Sequence, residues 1–270
     1  MLSRALIPVH LGEPKYKLKR MARALGTLGV TEIRLVHITE TPAAGTKPSE
    51  NGATQTKTEK RLATIEQTFE EEGFSTEIHY AHGSAALTIT RVTGELGCDL
   101  VAFSWKAKNW LQRALVGSTT LDVIRLSDVS VLVVKESAQE GILYATNFHA
   151  VDHSVIAHLN TEPLTEYPRF LVHVGERAPD PVAERERAES ARANLKRLAA
   201  ECRGRSIEIR LVQDANASRG ILREAKRDGV GTIVLGKSKG TAGLSSVLGS
   251  TAERVTTNSK CSVLIVPPGT

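Results

Sequence analysis

Apolar residues along the chain fall into two alternating patterns. Short runs rich in β-branched residues occur at Ala5–Val9, Glu32–Ile38, Ser75–Tyr80, Leu100–Ser104 and Val129–Val134. Between them lie longer stretches with helical periodicity, which predict helices over Lys15–Leu28, Glu59–Glu72, Ala85–Leu96 and Ser118–Leu126. The alternation then begins again, with strands near Ile142–Thr146, Phe170–Val174, Ile207–Val212, Thr232–Leu235 and Val263–Val266. The matching helices fall near Asp152–Leu159, Pro181–Cys202, Ser218–Asp228 and Ser250–Thr257. Alternating strands and helices argue for βαβ units, so each half is predicted to be an open, doubly wound α/β domain with a five-stranded parallel sheet. In such sheets ligands bind outside the carboxyl ends of the strands.

The two halves also share a phrase. Val116-Gly117-Ser118-Thr119 precedes a helical stretch and then Ser130-Val131-Leu132-Val133-Val134; Leu248-Gly249-Ser250-Thr251 precedes another and then Ser262-Val263-Leu264-Ile265-Val266. Both segments recur at a constant offset of 132 residues. That period is the size of a small domain rather than of a solenoid unit. The chain therefore reads as one domain made twice, residues 1–137 and 138–270, with the boundary in the polar stretch Lys135–Glu140. The closing strands Val131–Val134 and Val263–Val266 are apolar edges that call for cover, either by each other within one chain or in a homodimer. Thr41–Thr58, rich in Thr, Gly, Pro and Ser, reads as a loop, and Glu184–Arg197 as a solvated helix face.

Composition narrows the function classes. Hydrophobic content of 41% and charged content of 24% are ordinary for a globular protein. No run of about 18 apolar residues predicts a membrane span, and the N-terminal run Ala5–Val9 does not resemble a secretory leader. Cys98, Cys202 and Cys261 are scattered and odd in number, which fits free thiols in a reducing cytoplasm. The net charge of +5 is spread over both halves, and aromatic residues make up 4% of the chain. Neither the basic stripe nor the stacking surface of a nucleic-acid binder is present.

The candidate chemistry lies after the fourth strand of the second half. Leu235-Gly236 runs through Lys237-Ser238-Lys239-Gly240-Thr241-Ala242-Gly243 into Leu248-Gly249-Ser250-Thr251. Glycines allow backbone amides close to an anion, and Gly249-Ser250-Thr251 stands where a helix would begin, with free N–H groups and the positive dipole end. Lys237 and Lys239 read equally as charge partners of an anion and as solvated loop residues. Gly231 to Ser238 matches the phosphate-loop expression Gly-x4-Gly-Lys-Ser, but the intervening residues are the strand itself and the Lys-Ser pair opens no helix, so that reading is rejected. His149 and His153, four apart with Asp152 between them, lack the further ligands of a closed metal site and read as exposed helix-start residues. His37 and His173 occupy equivalent places and read as structural. No nucleophile elbow or paired-carboxylate pattern is present, so no catalytic residue is assigned.

These residues resemble the universal stress proteins, in particular their tandem two-domain members. The nucleotide-binding branch of that family carries Gly-x2-Gly-x9-Gly-(Ser/Thr) after its fourth strand. Gly236 and Gly249 stand thirteen apart as the outer glycines do, Ser250 follows, and Lys239 takes the middle position, with Gly240 one place late. The family's Asp at the end of the first strand corresponds to Asn147, and its adenine-reading Val to Val174. The resemblance implies ATP or a related adenine nucleotide, with magnesium, in the C-terminal half. Gly236, Ser238, Lys239, Gly249, Ser250 and Thr251 would surround phosphates and ribose, and Ala145, Thr146, Asn147, Val174 and Leu235 the adenosine end. In the first half Ser104 and Ala107 replace two glycines, Gly117-Ser118 remain, and Val9-His10-Leu11 brings no Asp. Trp105 and Trp110 fall within that loop and are expected to fill or cover a degenerate site. The implied role is stress response or regulation by nucleotide retention, with slow hydrolysis at most. The alternatives are a nucleotide-free scaffold acting through protein contacts with an unidentified partner, and an ATP-using transferase or ligase, for which a catalytic group is missing.

Overall fold

The computed structural model describes residues 2–39, 52–104, 118–136, 139–175, 180–205, 207–239 and 246–269; for 52–54, 238, 239, 246 and 247 it describes the backbone alone. The first half runs β1 (Arg4–Pro8), α1 (Lys15–Thr27), β2 (Glu32–Thr39), α2 (Gly52–Glu71), β3 (Ser75–His82), α3 (Ala85–Glu95), β4 (Leu100–Ser104), α4 (Ser118–Leu126) and β5 (Ser130–Val134). The second runs β6 (Ile142–Ala145), α5 (Asp152–Leu159), a 3-10 turn (Leu164–Glu166), β7 (Arg169–Gly175), α6 (Pro181–Glu201), β8 (Ile207–Gln213), α7 (Ala217–Arg227) and β9 (Thr232–Gly236). It closes with β10 (Ser238–Lys239), β11 (Ser246–Val247), α8 (Ser250–Asn258) and β12 (Ser262–Val266).

Each expected strand and helix is present, most within a residue or two of its expected ends. The main departure is α2, which begins at Gly52 and so takes up the end of the stretch expected to be a loop, while 41–51 lie outside the described residues. Leu62, Ile65 and Phe69 bury one face of this helix, and Gln55 donates to Glu59 one turn on, so packing carries the helix back through a sequence of poor formers. The ribbon of β10 and β11 was not expected; two residues per strand are too few to show alternation.

The strands form one ten-stranded sheet in the order β3-β2-β1-β4-β5-β12-β9-β6-β7-β8. Each half is parallel, and the halves meet where β5 and β12 pair antiparallel. Leu132 lies opposite Leu264, Val131 opposite Ile265 and Val133 opposite Val263. Residues 132 apart therefore face or exchange partners, as they would across an approximate two-fold axis at the Leu132–Leu264 pair. Each closing strand covers the other's apolar edge.

Successive residues of these strands point to opposite faces. Leu132, Val134, Leu264 and Val266 join a core with Leu18 and Met21 of α1, Phe69 of α2, Val155 of α5 and Leu195 of α6. Val131, Val133, Val263 and Ile265 join another with Ile89, Val123, Ile221 and Val255 from α3, α4, α7 and α8. Each core runs across both halves.

Two buried lysines add polar ties across the seam. Lys135, just after β5, donates from Nζ to the carbonyls of Thr256 and Ser259 at the end of α8, the latter at 3.0 Å. Lys237, just after β9, donates to the carbonyls of Arg125 and Ser127 at the end of α4, at 2.8 and 2.9 Å. Each cation thus caps the carbonyl end of the other half's last helix, where the helix dipole favours it. The lysines come from different strands, so two-fold symmetry is kept in the contact although the sequence repeat does not carry it.

Candidate functional site

A cleft of about 500 Å³ opens at the carboxyl ends of β6, β7 and β9, between the starts of α5, α7 and α8. It brings together Ala145, Thr146, Asn147, Val174, Leu235, Gly236, Gly249, Ser250 and Thr251, nine of the residues singled out from the sequence. The side chains of Ser238 and Lys239 lie outside the described residues, as do Trp105, Ala107, Trp110 and Gly117 of the other half.

Each sequence glycine has its own physical reason. Gly236 ends β9, and a Cβ there would come within 2.3 Å of Cγ1 of Val151, so the packing of α5 demands glycine whatever the cleft holds. Gly231 sits against the carbonyl of Gln139, 1.9 Å from where a Cβ would be. Gly249 differs. Its φ of −64° suits any residue, and among the described residues a Cβ would meet nothing within 4 Å. The fold does not need glycine at 249; a ligand pressed against the helix end would.

Gly249 is the N-cap of α8 and offers no side-chain cap. Two other helices of this half are capped: Asp180 accepts from Val182 and Ala183 at 3.0 Å at the start of α6, and Asn216 accepts from Arg219 at 3.1 Å at the start of α7, whereas α5, with Val151 at its N-cap, has no side-chain cap either. The first amides of α8 therefore face the cleft with the exposed hydroxyl of Ser250 and the half-buried one of Thr251. That is an anion-binding arrangement made from backbone dipoles. Among the described residues the lining holds no lysine or arginine.

Lys237 is not a charge partner of this cleft, nor is it solvated. It is 1% exposed, and its ammonium points away to α4 of the first half. Burial pushes it down to about 8. Since Thr232–Gly236 is a strand and Ser238–Lys239 a second short one, the phosphate-loop reading fails in structure as it did in sequence.

Sequence reasoning missed the group that shapes the cleft floor. Asp152, at the first turn of α5, is buried and accepts from the hydroxyls of Tyr144 and Thr146, the latter at 2.8 Å. Burial, and then the neighbouring Asp152 carboxylate, push the Tyr144 phenol upward. Thr146 Oγ1 accepts in turn from the amide of Phe148 at 2.9 Å, and the imidazole Nδ1–H of His173 donates to the Thr146 carbonyl at 3.0 Å. Phe148 is held at a φ of 57°, unusual for an aromatic residue, with its ring 4.4 Å from that of His173. The turn after β6 is thereby fixed and Asn147 left exposed on the rim, 3.4 Å from His149. His153 turns elsewhere, to Glu201 at 3.6 Å. The one sequence signal for Asp152 was an acid at a helix start, which is common to many helices without a site.

The model of the universal stress protein family matches residues 1–135 and again 147–267. The chain belongs to the universal stress protein family. Among solved structures it is similar along its whole length to a universal stress protein from Archaeoglobus fulgidus DSM 4304, with a TM-score of 0.74 and 20% identity over 100% of this chain and 97% of that one. A putative universal stress protein from Pseudomonas aeruginosa UCBPP-PA14 gives 0.67 and 21% over 99% and 94%. A functionally unknown protein from Pseudomonas aeruginosa PAO1 gives 0.70 and 19% over 99% and 93%. Identities this low speak for the fold alone. No curated protein matches the chain. Among the described residues no helix is long and apolar enough to cross a membrane.

Proposed function

We propose that the C-terminal cleft of this universal stress protein holds an adenine nucleotide, with ATP as the leading candidate. The observation that carries the reading is Gly249. It leaves a helix start uncapped, in open space that the fold itself does not require, inside a cleft of small-molecule size. The amides and hydroxyls of Ser250 and Thr251 take the phosphates. Asn147 and the strand ends at Ala145, Thr146, Val174 and Leu235 take the nucleoside, and Ser238 and Lys239 join by position. Asp152 is committed to two hydroxyls, so a magnesium ion would be held through the phosphates rather than by that carboxylate. The role is retention of nucleotide in stress response or regulation.

The first half is read as nucleotide-free. Native mass spectrometry of freshly purified protein tests both statements. One adenine nucleotide per chain, lost in Gly249→Val, is the expected result. A wild-type chain that carries none and takes up none at millimolar ATP would overturn the reading in favour of a scaffold acting through protein contacts.

A further inference from the structure

A second cleft, of about 510 Å³, lies at the amino ends of β6, β9 and β12, on the opposite edge of the second half's sheet. It follows the seam between the halves. One wall is a face of α1, where Tyr16, Lys19, Arg20, Arg23 and Thr27 recur at helical spacing. The other wall is the connecting segment at Gln139 and Glu140, the starts of β6 and β9, and Tyr167.

The charges in this cleft are unbalanced. Among the described lining residues, Lys19, Arg20, Arg23 and Lys135 stand against the one carboxylate of Glu140. Lys19 reaches out to Glu72 at 3.0 Å, and the Lys135 ammonium is spent on α8. Arg20 stands 3.8 Å from the well-exposed carboxylate of Glu136, with its guanidinium 5.7 Å over the Tyr16 ring. An exposed pair at that distance contributes little. Arg23 is exposed and makes no ion pair among the described residues. Two guanidinium groups, one turn of helix apart, therefore face a concave polar space with weak competition for them. The hydroxyls of Thr232 and Ser262 add hydrogen-bonding groups to the same lining, while that of Thr27 donates to the Arg23 carbonyl at 3.0 Å.

We propose that this seam cleft binds a small polyanion, with Arg20 and Arg23 as the groups that recognise it. Guanidinium groups suit such a ligand because each presents a planar fork of donors to phosphoryl or carboxyl oxygens. The bound anion joins α1 of the first half to the connecting segment of the second. None of these residues lines the strand-end cleft, so the site stands whether or not that cleft holds nucleotide.

The test uses inorganic tripolyphosphate as probe and the Gly249→Val protein as background, which removes the strand-end site. Calorimetric titration at low salt should show one tripolyphosphate per chain. Adding Arg20→Gln and Arg23→Gln should weaken it at least tenfold, whereas Glu140→Gln should strengthen it several-fold, a gain that a folding defect cannot produce. Absence of binding in the Gly249→Val protein, or affinities within twofold across these variants, would overturn the proposal.

Discussion

The ends of β4 and β9 occupy the same place in the two halves, yet they are filled in opposite ways. Ser104 lies opposite Val134 and Gly236 opposite Val266, so the register makes them equivalents. In the first half the Ser104 hydroxyl donates to Glu13 at 2.6 Å, and the Lys17 ammonium stands 3.8 Å from the same carboxylate. Glu13 is nearly buried, with its side chain 8% exposed. In the second half the neighbour of Gly236 is the apolar Val151, and beyond it the cleft runs to the uncapped start of α8. Among the described residues, a carboxylate of the chain itself thus stands against the strand end of the first half. In the second half the corresponding strand end opens onto the cleft.

The sharpest way to break this comparison is Gly249→Val. The backbone there accepts any residue and no described neighbour is within reach, so stability should change by less than about 1 kcal/mol, the scale of a lost N-cap preference. ATP affinity should fall more than about a hundred-fold, because the valine side chain stands where phosphate would approach the amides. Parallel urea unfolding and ATP titration separate the two effects.

Lys237→Ala should do the reverse. Losing the buried cap on α4 leaves two carbonyls without their donor, which costs about 2–4 kcal/mol of stability by loss of charged hydrogen bonds and packing. ATP affinity at 25 °C should stay within about threefold in folded protein, a factor worth less than one tenfold step of about 1.4 kcal/mol. Were Lys237 a phosphate ligand, affinity would collapse instead.

Ser250→Ala is milder for binding than Gly249→Val. One hydroxyl hydrogen bond to a charged oxygen is worth about 1.5–3 kcal/mol, or roughly ten- to a hundred-fold in affinity. An affinity equal to wild type would move the phosphates away from α8.

The seam lysines predict an unusual pH dependence. Burial pushes Lys135 down to about 7 and Lys237 down to about 8, against 10.5 for a free lysine. Between those values the unfolded chain binds more protons than the folded one, so stability from these groups rises with pH. From pH 7 to 9 the gain should be about 3–4 kcal/mol, given about 1.4 kcal/mol per unit for a fully shifted group. Urea midpoints for wild type and for Lys135→Met/Lys237→Met check this; the variant should be flatter. A wild-type curve that falls with pH more steeply than the variant's would contradict the assignment. The smallest expected effect is that of Ser104→Gly, which removes a partner of Glu13 and should create no ATP site, because Glu13 and Lys17 remain.

What could be read from the sequence follows from locality. Strands such as Val131–Val134 and helices such as Ser118–Leu126 declare themselves because their apolar positions are buried in the order in which they are written. Gly249-Ser250-Thr251 was legible for the same reason: the helix start and its hydroxyls are adjacent in the chain. Partners distant in sequence were not. Lys237 looks like a loop cation until its 110-residue reach to Ser127 is seen. For Gly236 the sequence offers one reason, close approach to an anion, and does not show the other, the Val151 side chain packed against it. Asp152 and Glu13, acids near helix starts, gave no sign that one shapes an open cleft and the other holds Ser104 at the end of β4.

Counting nucleotide sites decides whether the two halves differ in this way. Calorimetric titration of ATP into the Arg20→Gln/Arg23→Gln protein leaves the seam out of the count. One ATP per chain, lost on adding Gly249→Val, is the expected result. Two ATP per chain, or a single site that survives Gly249→Val, would contradict it.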